Sequence, residues 1–295
     1  MAKLIQQPLV MECTGWDAYR LLDSGGGRKF EAFGPHPFIR PEPQAMWQPR
    51  LSNWDAAGEF VPGSDEDGGG RWNLTPEVPD GWKLAWNDVR FRATPTPFRH
   101  LQFFPDMAPV WDWMREQLGE SRDAETLNMF GYTGLGTLAL SDHGRVTHVD
   151  ASKKSVAQAR ENATLSGMDD RSIRWLVDDA AKFTAREVRR ERRYDGIILD
   201  PPKFGRGPKS ETWRIEEGLP GLIGDCAKLL DRDSRFLFLT VYAVRMSSLA
   251  IAGLLEEALS HLPGKIEHGD LAVREEGPNG RLLPTAIFAR WSNPG

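Results

Sequence analysis

Five short apolar runs, at residues 126–130, 146–149, 173–177, 197–199 and 236–241, alternate with helical stretches through the second half of this 295-residue chain. Such alternation predicts a parallel sheet with helices on both faces, because each parallel connection must cross over and pack its helix on the sheet. Ahead of the first run, Val110, Trp111, Met114 and Leu118 recur at helical spacing and predict a helix over 107–118. The last segment reads differently. A helix over 247–262 leads to an apolar run at 271–274, a Gly/Pro turn and a second run at 285–289, which could pair as a closing hairpin. The expected class is α/β, doubly wound.

The chain changes character near residue 95. Six of the eleven tryptophans precede Asp88, among many glycines and prolines and short alternating runs such as Val89-Arg90-Phe91-Arg92. Short strands with frequent turn signals predict a small β-rich domain over 1–95, followed by a catalytic domain over 96–295. The tryptophans serve equally as core or as a surface that helps hold a substrate. The acidic stretch 62–70 loosely resembles a calcium loop, but Pro76 stands where the closing glutamate is needed, so it reads as a surface loop.

Ile197-Ile198-Leu199-Asp200-Pro201-Pro202-Lys203-Phe204 is a buried strand stopped abruptly by an acid and two prolines. Proline cannot donate to a ladder, so pairing ends there. In open α/β sheets, ligands bind beyond the carboxyl ends of the strands. Asp200 and the carbonyls beside it are therefore expected where chemistry occurs.

Leu127-Asn128-Met129-Phe130-Gly131-Tyr132-Thr133-Gly134-Leu135-Gly136 is a strand running into a glycine-rich turn and then a helix. Alone it could be a plain tight turn. Asp150, ending the next strand about twenty residues later, is at the distance for ribose hydroxyls. It could instead cap the following helix, a role for which Ser152 competes. After the third strand come Asp178 and Asp179. Asp179 is favoured for an adenine amino group and Asp178 for the cap.

Glycine turn, two acids and DPP, in that order, resemble the class I S-adenosylmethionine-dependent methyltransferases over residues 95–295. The run DPPKFGRG, with FPDMAPVWDWM before the glycine turn, is similar to the bacterial large-subunit ribosomal RNA methyltransferase group and its relatives. Tyr19-Arg20-Leu21-Leu22-Asp23-Ser24-Gly25-Gly26-Gly27 resembles the N-terminal part of some of those relatives. The resemblance implies a Rossmann-like, mainly parallel seven-stranded sheet. It implies S-adenosylmethionine as cofactor, met by Gly131, Gly134, Asp150 and Asp179. Asn128, Phe130, Tyr132, Thr133, Ala151, Ala180 and Asp200 complete that set. Asn128 departs from the acid that the family often carries near this point, though an asparagine still accepts one hydrogen bond.

Methyl transfer is an in-line displacement, for which the enzyme chiefly supplies position. At an exocyclic amine, the Asp200 carboxylate and the Pro201 carbonyl would accept both N–H hydrogens. Phe204 would stack on the acceptor ring, or serve as a core aromatic. Lys203 would meet a phosphate or a base oxygen, or simply be solvated. The amine-methylating pattern has an aromatic directly after DPP, where this chain has Lys203 and reaches Phe204 one residue later. Some relatives methylate cytosine C5 through a cysteine after the fifth strand, but residues 239–248 hold none. Cys226 falls with Leu222, Ile223, Leu229 and Leu230 on one helical face and reads as a buried structural thiol.

The remaining features narrow the partner. A formal charge of −5 argues against a whole-surface nucleic-acid binder but permits a local basic groove. Lys203, Arg206 and Lys209 after DPP are the preferred RNA-phosphate contacts. Arg90, Arg92, Arg99 and His100 would extend the track. Arg186, Arg189, Arg190, Arg192 and Arg193 are interleaved with Glu187 and Glu191 and read as a solvated helix end. Six scattered histidines and two cysteines, Cys13 and Cys226, make neither a metal spacing nor a disulfide framework. With no long apolar run and no charged start leading into an apolar segment, neither a membrane span nor a signal peptide is expected, and a cytoplasmic setting fits. The expected function is methylation of RNA, with ribosomal RNA the favoured substrate. A small-molecule or protein methyltransferase, or a non-catalytic RNA-binding relative, is the alternative.

Overall fold

The computed structural model describes residues 1–63, 69–208, 211–242 and 245–293. The chain forms two compact units. One comprises Met1–Met11, Val110–Asp270 and Ala286–Gly295; the other comprises Glu12–Pro109 and Leu271–Thr285. The sequence boundary expected at 95 lies inside the second unit. The candidate calcium loop lies mostly outside the described residues.

The chain opens with β1 (Lys3–Leu4) and β2 (Leu9–Cys13). A β-rich stretch follows. β3 (Tyr19–Gly25), β4 (Arg28–Phe33), β5 (His36–Pro41), β6 (Gly58–Pro62) and β7 (Gly70–Leu74) form a five-stranded sheet in sequence order. β8 (Trp82–Trp86) and β9 (Val89–Ala93) form a hairpin. Its aromatics pack mostly on each other. Phe38 has Trp72 and Trp82 at ring-centroid distances of 5.4 and 5.8 Å, and Trp86 is buried.

Two buried charge clusters fix this unit. Tyr19 Oη donates to Glu31 at 2.7 Å, and Arg40 grips the same carboxylate from Nε at 2.7 Å and Nη2 at 2.8 Å. Asp23 accepts from the backbone N–H groups of Ser24, Arg50 and Leu51, from Trp54 Nε1, and from Arg281 at 2.9 Å. Arg281 also pairs with Glu275, which accepts from Ser24 Oγ at 2.6 Å. The acid of the Tyr19–Gly27 motif is thus a structural hub.

The other unit is built on a nine-stranded sheet. After α1 (Ala108–Leu118) come β10 (Ala124–Met129), α2 (Leu135–Leu140), β11 (Gly144–Asp150), α3 (Lys153–Ser166), β12 (Ile173–Val177), α4 (Ala180–Arg189) and β13 (Gly196–Leu199). A two-stranded ribbon, β14 (Phe204–Arg206) and β15 (Thr212–Arg214), leads to α5 (Ile215–Lys228), β16 (Phe236–Val241), α6 (Ser248–Ala258), β17 (Lys265–Arg274) and β18 (Leu282–Ser292). The order is β1-β17-β18-β16-β13-β10-β11-β12, with β2 also on β17. β10 to β13 and β16 run parallel, and β18 is antiparallel to β16. Seven strands match the expected sheet. β1 and β2 are additions, and they pair with β17, which would otherwise expose a ladder edge.

The two faces separate by the strand period. Leu127, Met129, Val149, Ile197, Leu199, Leu237 and Leu239 point into one core with Phe183, Leu222, Ile223 and Leu255 of the helices. Trp113 of α1 covers the other face, 5.7 Å from Phe236 and 5.4 Å from Phe238. The chain steps from β10 to β12 on one side and from β13 to β16 on the other. The crevice at this reversal lies beyond the carboxyl ends of β10 and β13.

Candidate functional site

At the end of β10 the backbone turns sharply. Phe130, Tyr132 and Gly134 have φ of 57°, 48° and 84°. Left-handed conformations at two non-glycine residues cost roughly 1–3 kcal/mol each and concentrate at functional turns. A Cβ on Gly134 would stand 2.7 Å from Ala159 Cβ, and one on Gly131 only 2.5 Å from His148 Cε1, so neither position tolerates a side chain. Asn162, absent from the expected set, donates to the Thr133 carbonyl at 2.9 Å and pins the far side of the turn.

Asp150 reaches across from β11. Its Oδ2 accepts from Tyr132 N at 2.9 Å and its Oδ1 from Ser152 N at 2.8 Å. Ser152 is the helix cap, its Oγ accepting from Ser155 N at 3.2 Å. Asp150 is therefore left with a lone pair on each oxygen. Burial pushes its carboxyl up, against the pull of those two N–H donors. Burial, and next the charge of Asp150, also pushes the Tyr132 phenol up, so it stays a neutral O–H. Ala151 follows, half-buried.

The cap of α4 is Asp179, not Asp178 as expected. Asp179 caps α4, its Oδ1 accepting from Lys182 N at 2.9 Å. Asp178 accepts from Asp179 N and pairs with Arg186. The helix begins at Ala180 with an extended Asp179 (φ −76°, ψ 127°), so cap geometry falls one residue later than expected. Ala180 is buried in the core.

Asp200 stands at the end of β13. Thr240, fully buried on β16, donates its hydroxyl to Asp200 Oδ1. Its signal in the sequence is a lone polar residue near the end of the apolar run Phe236–Val241. Pro201 is buried and Pro202 exposed. The ribbon then begins, with Phe204 opposite Arg214 and Arg206 opposite Thr212. Phe204 is 48% exposed, which excludes it from the core, and Lys203 and Arg206 are exposed as well. The inward residue is Trp213. Its ring lies 5.2 Å from Phe130 of the cofactor turn, and its Nε1 donates to the Pro202 carbonyl at 2.7 Å. Lys182 and Glu211 pair at 2.6 Å and tie α4 to the ribbon. Lys209 lies outside the described residues.

Cys226 is fully buried, and burial pushes its thiol well above the usual range. In the other unit, His100 is held down to about 4, by burial first and by Arg40 and Arg99 next, so it adds no charge to a basic track at neutral pH. Arg186, Arg190, Arg192 and Arg193 pair with Asp178, Glu187, Glu125 and Asp231. Among the described residues, no group of three or more His, Cys, Asp or Glu could hold a metal, and no helix is long and apolar enough to cross a membrane.

The residues at the end of β10 and β11 fit S-adenosylmethionine. Asp150 has acceptor capacity for two hydroxyls, and the glycines bring backbone close to any ligand over the turn. A model of the S-adenosylmethionine-dependent methyltransferase family matches residues 65–232. The solved SAM-dependent methyltransferase from Agrobacterium tumefaciens is 36% identical, with a TM-score of 0.92 over 99% of this chain and 95% of that one. A methyltransferase solved in complex with SAH shares the fold, with a TM-score of 0.69 at 16% identity over 93% of this chain and 75% of that one. Ribosomal RNA large subunit methyltransferase I of Aeromonas salmonicida is 30% identical over 135 residues, 45% of this chain and 31% of that protein. Ribosomal RNA large subunit methyltransferase K/L of Magnetococcus marinus is 29% identical over 161 residues, 53% of this chain and 22% of that protein. The matches thus span less than a third of these two curated relatives. The chain belongs to the S-adenosylmethionine-dependent methyltransferases and takes S-adenosylmethionine as its cofactor.

Proposed function

We propose that this chain methylates RNA, with ribosomal RNA the favoured substrate, at an acceptor site formed by Asp200, Pro201, Pro202, Lys203 and Phe204. The cofactor, when bound, supplies a methyl group on a sulfonium. In this reading Asp150 accepts the ribose hydroxyls, and the second oxygen of Asp179 accepts an adenine N–H. Phe130, Gly131, Tyr132, Thr133, Gly134 and Ala151 line the same crevice, with Asn128 and Ala180 acting from beneath it, their side chains buried.

The observation that carries the reading is the placement of Asp200. Its carboxylate stands at the end of the strand beside the glycine turn, oriented by a buried hydroxyl from Thr240. Asp200 and the Pro201 carbonyl orient the acceptor by taking its hydrogens. Phe204 is exposed for stacking, with Lys203 and Arg206 beside it for phosphate. The fully buried Cys226, its thiol pKa raised, supports direct transfer without a cysteine nucleophile. The curated relatives' names support RNA over the other substrate classes. We read 1–95 as the part that helps hold the substrate and 96–295 as the part that carries the chemistry.

The test is transfer of labelled methyl to total RNA, protein and small-molecule fractions, with Asp200→Ala as control. Label in RNA that disappears in the variant is the expected result. Label only in protein or small molecules would overturn the substrate, and undiminished transfer by Asp200→Ala would overturn the acceptor site.

A further inference from the structure

Asn128, His148 and Trp175 are register neighbours on β10, β11 and β12, so their side chains share one face of the sheet. That face lies under the glycine turn and α2. Asn128 Nδ2 donates to Thr137 Oγ1 at 2.9 Å, and Thr137 Oγ1 is 2.8 Å from His148 Nδ1. All three are buried. Thr137 Oγ1 accepts from the amide and pairs with His148 Nδ1; read with the hydroxyl donating, the imidazole carries its proton on Nε2. Nε2 is buried and has no hydrogen-bond partner among the described residues. The ring packs 4.9 Å from that of Trp175.

A buried donor left unmade costs about 1–3 kcal/mol, so its retention calls for a reason. The reason is what the ring touches on its other side. The site of a Cβ on Gly131 is 2.5 Å from His148 Cε1 and 2.6 Å from Nδ1. The imidazole is the floor on which the turn rests. We propose that His148 is a positioning residue for the cofactor. The uncharged chain Asn128–Thr137–His148 holds the Gly131–Gly134 backbone where S-adenosylmethionine meets it.

The electrostatics agree. Burial alone holds the His148 ring down to about 3, with no charged group contributing. The residues around it, Asn128 on β10, Thr137 on α2, Gly131 in the turn and Trp175 on β12, are all uncharged. Asp150 lies two residues farther along β11 and accepts from Tyr132 N and Ser152 N, not from the His148 ring. Replacing Asn128 by aspartate breaks the arrangement, because a carboxylate cannot donate to Thr137. The hydroxyl proton then turns to residue 128, and His148 Nδ1 must carry a proton to keep its bond.

The inference rests on the glycine turn being the cofactor turn, and the test separates the two. Binding of S-adenosylhomocysteine is measured by calorimetry between about pH 5 and pH 8, and the His148 ring nitrogens are read by NMR in the ligand-free protein. The expected wild-type spectrum has one neutral tautomer protonated at Nε2. His148→Asn keeps an amide oxygen near the Nδ1 position and retains affinity. His148→Gln moves the amide toward Nε2 and binds about tenfold more weakly, the factor that ~1.4 kcal/mol represents. Asn128→Asp moves the proton of the neutral ring from Nε2 to Nδ1 in the NMR spectrum. A wild-type proton on Nδ1, equal affinities for the Asn and Gln variants, or a proton kept on Nε2 in Asn128→Asp would overturn the proposal. Gly134→Ala is the control for the turn itself. Unchanged affinity there removes the cofactor turn, whereas loss there with wild-type binding in His148→Gln removes only the role of His148. If a His148 variant does not fold, the wild-type tautomer still decides.

Discussion

The indole N–H of Trp213 donates to the carbonyl of Pro202 at 2.7 Å, while the same ring packs against Phe130. One side chain therefore spans the turn after β10 and the exit of β13. Neither contact is visible from sequence spacing, because Trp213 follows Pro202 by eleven residues and reaches it only by the reversal of the ribbon.

Trp213→Phe keeps the ring and removes the donor. The expected cost is about 1 kcal/mol of stability. The Pro202 loop loses its tether, so KM for the methyl acceptor rises while cofactor affinity holds. Thermal melts and steady-state kinetics separate the two effects.

Thr240→Val removes the hydroxyl that orients Asp200 and preserves shape. The core around it is otherwise apolar, so the fold tolerates the change. Hydrogen bonds to charged groups contribute about 1.5–3 kcal/mol, and kcat is expected to fall about tenfold or more. S-adenosylhomocysteine binding by calorimetry should change little, since Asp200's alignment is the part lost.

Asp150→Ala removes both acceptors of the proposed ribose contact. Two hydrogen bonds to a charged group disappear, so cofactor affinity is expected to fall at least about 100-fold. An unchanged dissociation constant would show that the ribose lies elsewhere.

Cys226→Ala deletes a buried thiol that the proposed chemistry does not use. Stability should fall by about 1 kcal/mol, with methyl transfer per folded molecule unchanged. Loss of turnover in a folded variant would restore the nucleophile reading.

Glu31 gives a pH dependence with a definite sign. Burial would raise its carboxyl, but Arg40 and then Lys29 outweigh it and hold the group down to about 2. A depressed carboxylate contributes stability that is present above the unfolded value, near pH 4.3 or so. That contribution is lost as the pH falls towards about 2. Acid denaturation should show this loss in the wild type. Glu31→Gln should be less stable at neutral pH by about 3–5 kcal/mol, since it leaves Arg40 buried without its partner. It should show a shallower acid limb.

The periodicity of the chain determined the catalytic sheet. Runs such as 173–177 and 236–241 are strands because apolar side chains at strand spacing have one way to be buried, and the prolines after Asp200 can only end a ladder. The turn after β10 and the places of Asp150 and Asp200 at strand ends were legible, because the glycines of the turn and the prolines after Asp200 constrain the backbone there. The first half of β17 was not, since Lys265–Asp270 mixes charges into a strand. Nor was the use of residues 1–11 in the catalytic unit, since their partners, the edge of β17 and the core that Ala2 joins, are far away in the chain. That Asp179 and not Asp178 caps α4 turned on where one helix starts, a one-residue matter that propensity does not resolve. Thr240 behind Asp200, Trp213 under Pro202, and Asn128 bound through Thr137 to His148 are contacts between residues far apart in the chain. Side-chain type limits what such groups can bond, but only the register of the strands and the packing of the helices decide which of them meet.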